Sequence, residues 1–326
     1  MSVDAQVRQL EQWVAIKPDD GASVRRLVNL LETPRGFTTA FGAFGTAQSR
    51  INESLGFDWR LGMLDRRVYG DAYLQWMSIL ETLGITQVVP VAQMFSGRVL
   101  TINGQHTHCD VRLKFFKETK VIPSLCHDCF KVQILPENLD DLFLAYFLLL
   151  NLDLPNDNSR KCMIELRSGI KYPYKGYIYC QSLAEAKSCL AAFDDLKTKH
   201  AICGLPAKIS HGCSEFGQEY PDFKYEGSDE QKPFKTPQGW AADEKNYFRD
   251  LKLAKPGRQT NNKSIISLRD VFVFRTWVRY AQLIGDETSA RFGVNSGPSL
   301  FPAFDQRVRR QSKTRNAEMN ELECRS

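Results

Sequence analysis

One stretch in the middle of the chain, Phe130 to Ile209, constrains the fold more than any other. Phe130 to Leu135 is a β-prone run stopped by Pro136. Leu139 to Leu150 is apolar on nearly every side, which predicts a buried helix, and Asn138 or Asp140 is placed to cap it. Pro155 to Ser159 reads as a loop. Cys162 to Arg167 alternates as a strand, Gly169 to Tyr172 turns the chain, and Lys175 to Cys180 returns. Leu183 to Leu196 has Leu183, Ala186, Leu190 and Phe193 on one face, as an amphipathic helix does. Ala201 to Ile209 supplies a last strand, which Pro206 confines to an edge.

The order β-α-β-β-α-β is that of the split βαβ, or ferredoxin-like, arrangement, so the fold class expected is α+β. In the usual antiparallel order 4-1-3-2, the end of the fourth strand lies near the start of the first. That brings His211-Gly212-Cys213 back to Cys126-His127-Asp128-Cys129. A Cys-x-x-Cys pair lets two thiolates bind one ion from a tight turn, and a tetrahedral ion needs two more ligands. Cys109 and Cys213 complete a four-thiolate set, with His108, His127 and His211 as alternates beside three of its positions. The cofactor expected is a zinc ion, with a [4Fe-4S] cluster as the alternative, since both favour thiolates. A redox-active thiol pair and unligated buried cysteines are the other readings. Cys162 and Cys180 are expected to face each other about a turn near Lys171, and Cys189 and Cys203 to point into the core.

Lys175-Gly176-Tyr177-Ile178-Tyr179 resembles part of the RNP1 signature of RNA-recognition-motif domains. Gln133 to Leu139 resembles the strand-to-helix turn of the same family. The likeness covers the central stretch only. Ser182 stands at the second RNP1 aromatic position, and the first strand offers Lys131 or Gln133 where a stacking aromatic belongs. The resemblance implies a ligand-binding sheet face carrying Tyr177 and Tyr179. Arg160, Lys161, Arg167, Lys171 and Lys175 gather around the neighbouring turn, so Arg167 and Lys175 are candidates for holding a phosphate or carboxylate.

Around this centre, residues 1–100 read as a mainly helical region. Its first helix pair is similar to a single tetratricopeptide unit, without a second copy. Gly36, Gly42 and Gly45 among phenylalanines fit a packed loop and helix better than a phosphate loop, since neither the Rossmann nor the P-loop spacing is present. Asp71 to Leu83 is a helix ended by Gly84; Val88 to Val91 and Arg98 to Ile102 are short strands, the second followed by an Asn103-Gly104 turn. Residues 101–216 form the metal-binding domain, and 217–305 an irregular segment with spaced aromatics followed by a helix from Leu268 to Gly285, opened by a capping box at Ser267. Arg275 and Arg279, four apart on that helix, are a second candidate anion clamp. Residues 306–326 carry five basic side chains within a short span and are expected to be a disordered basic tail.

Nine cysteines, an odd number, without an apparent secretory signal argue against a disulfide framework and for a cytoplasmic protein. The most apolar segment, Leu142 to Leu154, is too short to span a bilayer, so no membrane is expected as partner. A net charge of +5 permits an anionic ligand or nucleic acid as partner without requiring one. No Ser–His–Asp order, HExxH or dinucleotide fingerprint is present. The function expected is a metal-binding module serving a nucleic acid, nucleotide or protein partner. The alternative is a metalloenzyme acting on a phosphorylated or sugar substrate.

Overall fold

A computed structural model describes residues 2–17, 20–31, 42–56, 58–85, 99–102, 104–105, 109–225, 227, 234–249, 258–259, 265–293 and 302–323. Expectations at Gly36, Val88 to Val91, Asn103 and His108 lie outside the described residues.

The chain is a mixed helix-and-sheet molecule, α+β. Its helices among the described residues include α1 (Val3–Ile16), α2 (Gly21–Leu31), α3 (Ala43–Ser54), α4 (Tyr69–Thr82), α5 (Cys109–Thr119), α6 (Leu139–Asn151) and α7 (Leu183–Lys199). Then come α8 (Ser214–Glu219), α9 (Trp240–Phe248), α10 (Leu268–Ile284), α11 (Pro302–Arg309) and α12 (Ser312–Glu323). One antiparallel sheet holds β1 (Val99–Ile102), β2 (Phe130–Ile134), β3 (Arg160–Ile164), β4 (Tyr174–Cys180) and β5 (Ala207–His211), in the order β1-β3-β4-β2-β5. Gly104–Gln105 pairs with Arg258–Gln259 in a separate short ladder.

The local signals have physical causes. Asn138 accepts the Asp141 amide and starts α6, and Ser182 accepts the Glu185 amide and starts α7. Ser267 and Asp270 form a reciprocal capping box on α10, and Gly285 ends it in a left-handed conformation at φ 80°. Every residue of α6 from Leu139 to Leu150 is buried. The sheet lies on one side of it and α10 on the other, where Phe143 meets Phe274 at 4.7 Å between ring centroids. Trp76 of α4 stacks on the same Phe274 at 5.8 Å, which ties the N-terminal helices to this core.

Strand alternation gives the sheet two unlike faces. Val132, Ile134, Cys162, Ile164 and Ile178 look into the main core under α6 and α7. Lys131, Gln133, Lys161, Lys175, Tyr177 and Tyr179 share the other face, where Tyr177 is paired with both Gln133 and Lys161. A second, smaller core assembles beyond that sheet from Phe115, Phe116, Val121, Ile122, Phe216, Phe223 and Trp240. The aromatics of the irregular segment thus cover α5 rather than project into solvent.

Several expectations are corrected. Residues 302–323 form α11 and α12 instead of a disordered tail. The reason is specific docking: Arg315 is fully buried and donates to the Ile170 and Arg167 carbonyl oxygens at 2.9 and 2.7 Å. Cys162 does not face Cys180. The β3–β4 connection is centred two residues earlier than Lys171, so Cys162 sits opposite Gly176, and Cys180 opposite Phe130. Cys180 instead lies beside Cys189 at the strand–helix interface, and its Sγ donates to the Ile178 carbonyl oxygen at 3.9 Å. Cys203 is exposed, because Ala201, Gly204 and Leu205 take positive φ and turn the chain before β5 begins at Ala207. Among the described residues no helix is long and apolar enough to cross a membrane.

Candidate metal centre

The second core and the end of β5 together position the cysteines. In α5, Phe116 packs edge-on against Phe216 at 4.7 Å, and Phe115 against Tyr247 at 4.8 Å, which fixes the helix that begins at Cys109. After Pro123 a single 3-10 turn over Ser124–Cys126 reverses the chain, and the Cys129 amide donates to the Cys126 carbonyl at 3.3 Å. Phe130 is paired with His211, and the Gly212 amide donates to the Cys129 carbonyl at 2.7 Å. Cys213 therefore arrives beside the Cys-x-x-Cys turn. Gly212 permits this: its φ is +58°, and a β-carbon there would stand 2.5 Å from Phe223.

The four thiols sense one another. Burial pushes the Cys126 thiol far upward, and Cys213, Cys129 and Cys109 push it further in that order. Burial raises Cys129 to about 11 against the pull of Lys131, with Cys213 and Cys109 adding to the rise. Cys213 is raised by burial and by Cys109, again against Lys131. Cys126, Cys129 and Cys213 are partly covered, whereas Cys109 is exposed. Among the described residues, no three His, Cys, Asp or Glu side chains converge closely enough to hold one ion in common. The four thiols are neighbours without being a coordination shell.

The histidine alternates are placed differently. His211 is sandwiched between Phe130 and Phe223, at 4.4 and 4.0 Å between ring centroids. Its Nδ1 lies 2.6 Å from the Phe223 carbonyl oxygen and its Nε2 2.6 Å from that of His127, so both ring nitrogens are engaged by backbone. The His127 ring stands edge-on to Phe223 and Phe234, at 5.8 and 6.0 Å. His108 lies outside the described residues.

The candidate ligand-binding residues share the polar sheet face. Tyr177 is only 7% exposed, and Tyr179, 6.2 Å from it, is half-buried, so this face is not an open stacking platform. The Glu165 carboxylate receives Arg167 at 2.9 and 2.7 Å and Lys175 at 3.4 Å, and Arg167 also pairs with Glu215 at 2.6 Å. Both cations are committed to internal partners. Lys171 pairs with Glu321 at 3.6 Å, and fully buried Arg160 donates to the Leu149, Leu152 and Asn158 carbonyl oxygens. Arg279 is engaged by Asp305.

Sequence reasoning gave Lys131 no binding role and placed Lys161 only within the basic cluster around the neighbouring turn. Lys131 is 8% exposed on the central strand β2, with its Nζ 5.3 Å above the Tyr177 ring. Lys161 Nζ stands 5.3 Å from both Tyr177 and Tyr179, and burial lowers its pKa while Cys213 and Cys109 oppose the fall. The signal was available: strand alternation places both lysines on the face that leads to the cysteines.

Comparison of the chain with protein-family models, with curated proteins and with solved structures finds no match in any of the three.

Proposed function

We propose that Cys109, Cys126, Cys129 and Cys213 bind one zinc ion as a structural staple, in a cytoplasmic protein that serves as an accessory module for a protein partner. One observation carries the reading: the Gly212–Cys129 backbone hydrogen bond brings the end of β5 to the Cys-x-x-Cys turn, where neighbouring thiols add to the upward shift that burial gives Cys126, Cys129 and Cys213. Deprotonating such a group without a cation is costly. A divalent ion relieves that cost, so binding releases protons and contributes folding free energy. Of the histidine alternates, His211 has both ring nitrogens engaged by backbone carbonyls, which removes it from the donor set. We read β2-α6-β3-β4-α7-β5 as a ferredoxin-like unit, with β1 as an added edge strand. A protein partner is favoured over a nucleic acid because Tyr177 is covered and Arg167 and Lys175 are already paired.

Elemental analysis with an absorption spectrum, on protein purified without oxygen, tests the reading. Zinc near one ion per chain and no visible band supports it. Iron with sulfide and broad visible absorption replaces zinc by a cluster and brings the enzyme alternative forward. Absence of metal in protein refolded with zinc removes it. In parallel, Cys126→Ser with Cys129→Ser abolishes zinc binding and lowers Tm under this reading.

A further inference from the structure

We infer that Lys131 and Lys161 form an anion site on the polar sheet face that takes a single phosphate group. The inference needs no metal and stands apart from the reading above. Lys161 of β3 and Lys131 of β2 flank β4 from its two sides. Lys161 is paired with Tyr177 and Lys131 with Tyr179, so all four side chains rise from one face. Both lysines lean over β4. Each Nζ stands 5.3 Å from the Tyr177 ring centroid, and Lys161 Nζ is also 5.3 Å from that of Tyr179.

Among the described residues, neither ammonium has a carboxylate at ion-pair distance or a hydrogen-bond acceptor. The Tyr177 and Tyr179 hydroxyls and the Gln133 amide beside them have no hydrogen-bond partner there either. Glu165, the carboxylate of this face, is occupied by Arg167 and Lys175. Yet Lys131 is 8% exposed and Tyr177 7%, and polar groups so covered are as a rule hydrogen-bonded. The tyrosine rings attract the ammonium groups but leave their charge unbalanced. Five neighbouring polar side chains, two of them cationic, thus share a face without an internal partner. Ammonium groups donate and cannot accept, so the complementary ligand is rich in acceptors and anionic. A carboxylate balances one of the two charges. A phosphate group, near −2 at neutral pH, balances both, and lysine serves phosphate as a point charge. Tyr177 is too covered to stack a base, so the phosphate itself is the part recognised.

Inorganic phosphate is titrated into the full chain at about pH 7.5, where it is largely dianionic, and at constant ionic strength. Calorimetry and Tm read the result. Saturable binding with a rise in Tm is expected, and weaker binding of acetate. Lys131→Met and Lys161→Met keep side-chain length and remove charge. Each is expected to weaken phosphate about tenfold or more, as loss of one charge-assisted hydrogen bond does. Their Tm in chloride stays level or rises, because a covered charge without a partner has gone. Lys161→Arg retains binding, and its contrast with Lys161→Met holds even where Lys131→Met disturbs the central strand. Glycerol 3-phosphate separates two sources of the same group: tighter binding than inorganic phosphate assigns the site to a phosphate ester, and equal or weaker binding to free phosphate. A wild-type chain without saturable phosphate binding overturns the inference. Acetate binding as tightly as phosphate overturns it too, since one charge would then suffice. Undiminished phosphate binding in the double Met variant places the anion elsewhere and likewise overturns it.

Discussion

At the scale of single residues, the polar sheet face shows what buried charge costs. Glu165 is 1% exposed. Burial alone would raise its carboxyl, but Arg167 and Lys175 outweigh that and hold it at about 2, against 4.5 when free. Its folded value is depressed, so its contribution is complete above pH 4.5 and is lost as pH falls through 2. Lys175 is pushed down to about 8 by burial, against the pull of Glu165. Lysine in the folded chain therefore releases its proton earlier than in the unfolded one, and stability from this group rises between pH 8 and 10.5. At neutral pH the two effects largely offset each other. Lys175→Met should then be neutral or stabilising by up to roughly 2 kcal/mol at pH 7, because Arg167 still satisfies Glu165. Glu165→Gln leaves two cations facing a neutral amide and should cost about 3 kcal/mol or more. It should also flatten the stability curve between pH 4.5 and 2 relative to wild type. Denaturant titrations of both variants across pH measure this; equal losses in the two would contradict the assignment.

Elements show which parts of this architecture a sequence displays. Capping at Asn138 and Ser267 and the stop at Gly285 were legible because each rests on a contact within one turn, whereas the Ser182 cap, of the same kind, went unread. The return of Cys213 to Cys129 was legible because alternation and strand order determine it. Register was not: the midpoint of the β3–β4 connection is set by packing around Gly176, whose missing β-carbon leaves room for Ile134. Nor was the fate of the C-terminal region, since a basic composition suits both a free tail and a docked helix. What decides is Arg315, whose partners, the Ile170 and Arg167 carbonyl oxygens, belong to a distant turn. Glu318 closes the arrangement by accepting Arg315 at 2.6 Å and the Tyr172 amide at 2.9 Å. Arg315→Met orphans two carbonyl oxygens and one carboxylate and should cost about 3–5 kcal/mol of docking. Limited proteolysis is then expected to cut between α11 and α12 while the sheet survives. A variant as resistant as wild type would mean that α12 is held by its apolar contacts, Met319 among them.

For the whole molecule, two cores of unequal size imply two unequal stabilities. The main core runs from Val7 to Met319 and includes every strand of the principal sheet. The second, among the described residues, holds seven buried residues, largely aromatic, with Cys126 and Cys213 packed at its margin. Such a small cluster supports little on its own, and a metal staple is the usual supplement. Under the zinc proposal, metal a thousandfold above its Kd would add about 4 kcal/mol to whatever unit must open to release it. Chelation should therefore act unevenly. Amide exchange should speed up over residues 109–129 and 211–249, which carry the second core and the thiols. Protection over α6 and α10 should hold, since Phe143, Phe274 and Trp277 contact one another without passing through the centre. Hydrogen exchange read by mass spectrometry, with and without a zinc chelator, gives the answer segment by segment. Exchange rising equally everywhere would make the two cores one cooperative unit. Exchange unchanged at 109–129 would mean that aromatic packing holds α5, and the staple would lose its mechanical purpose.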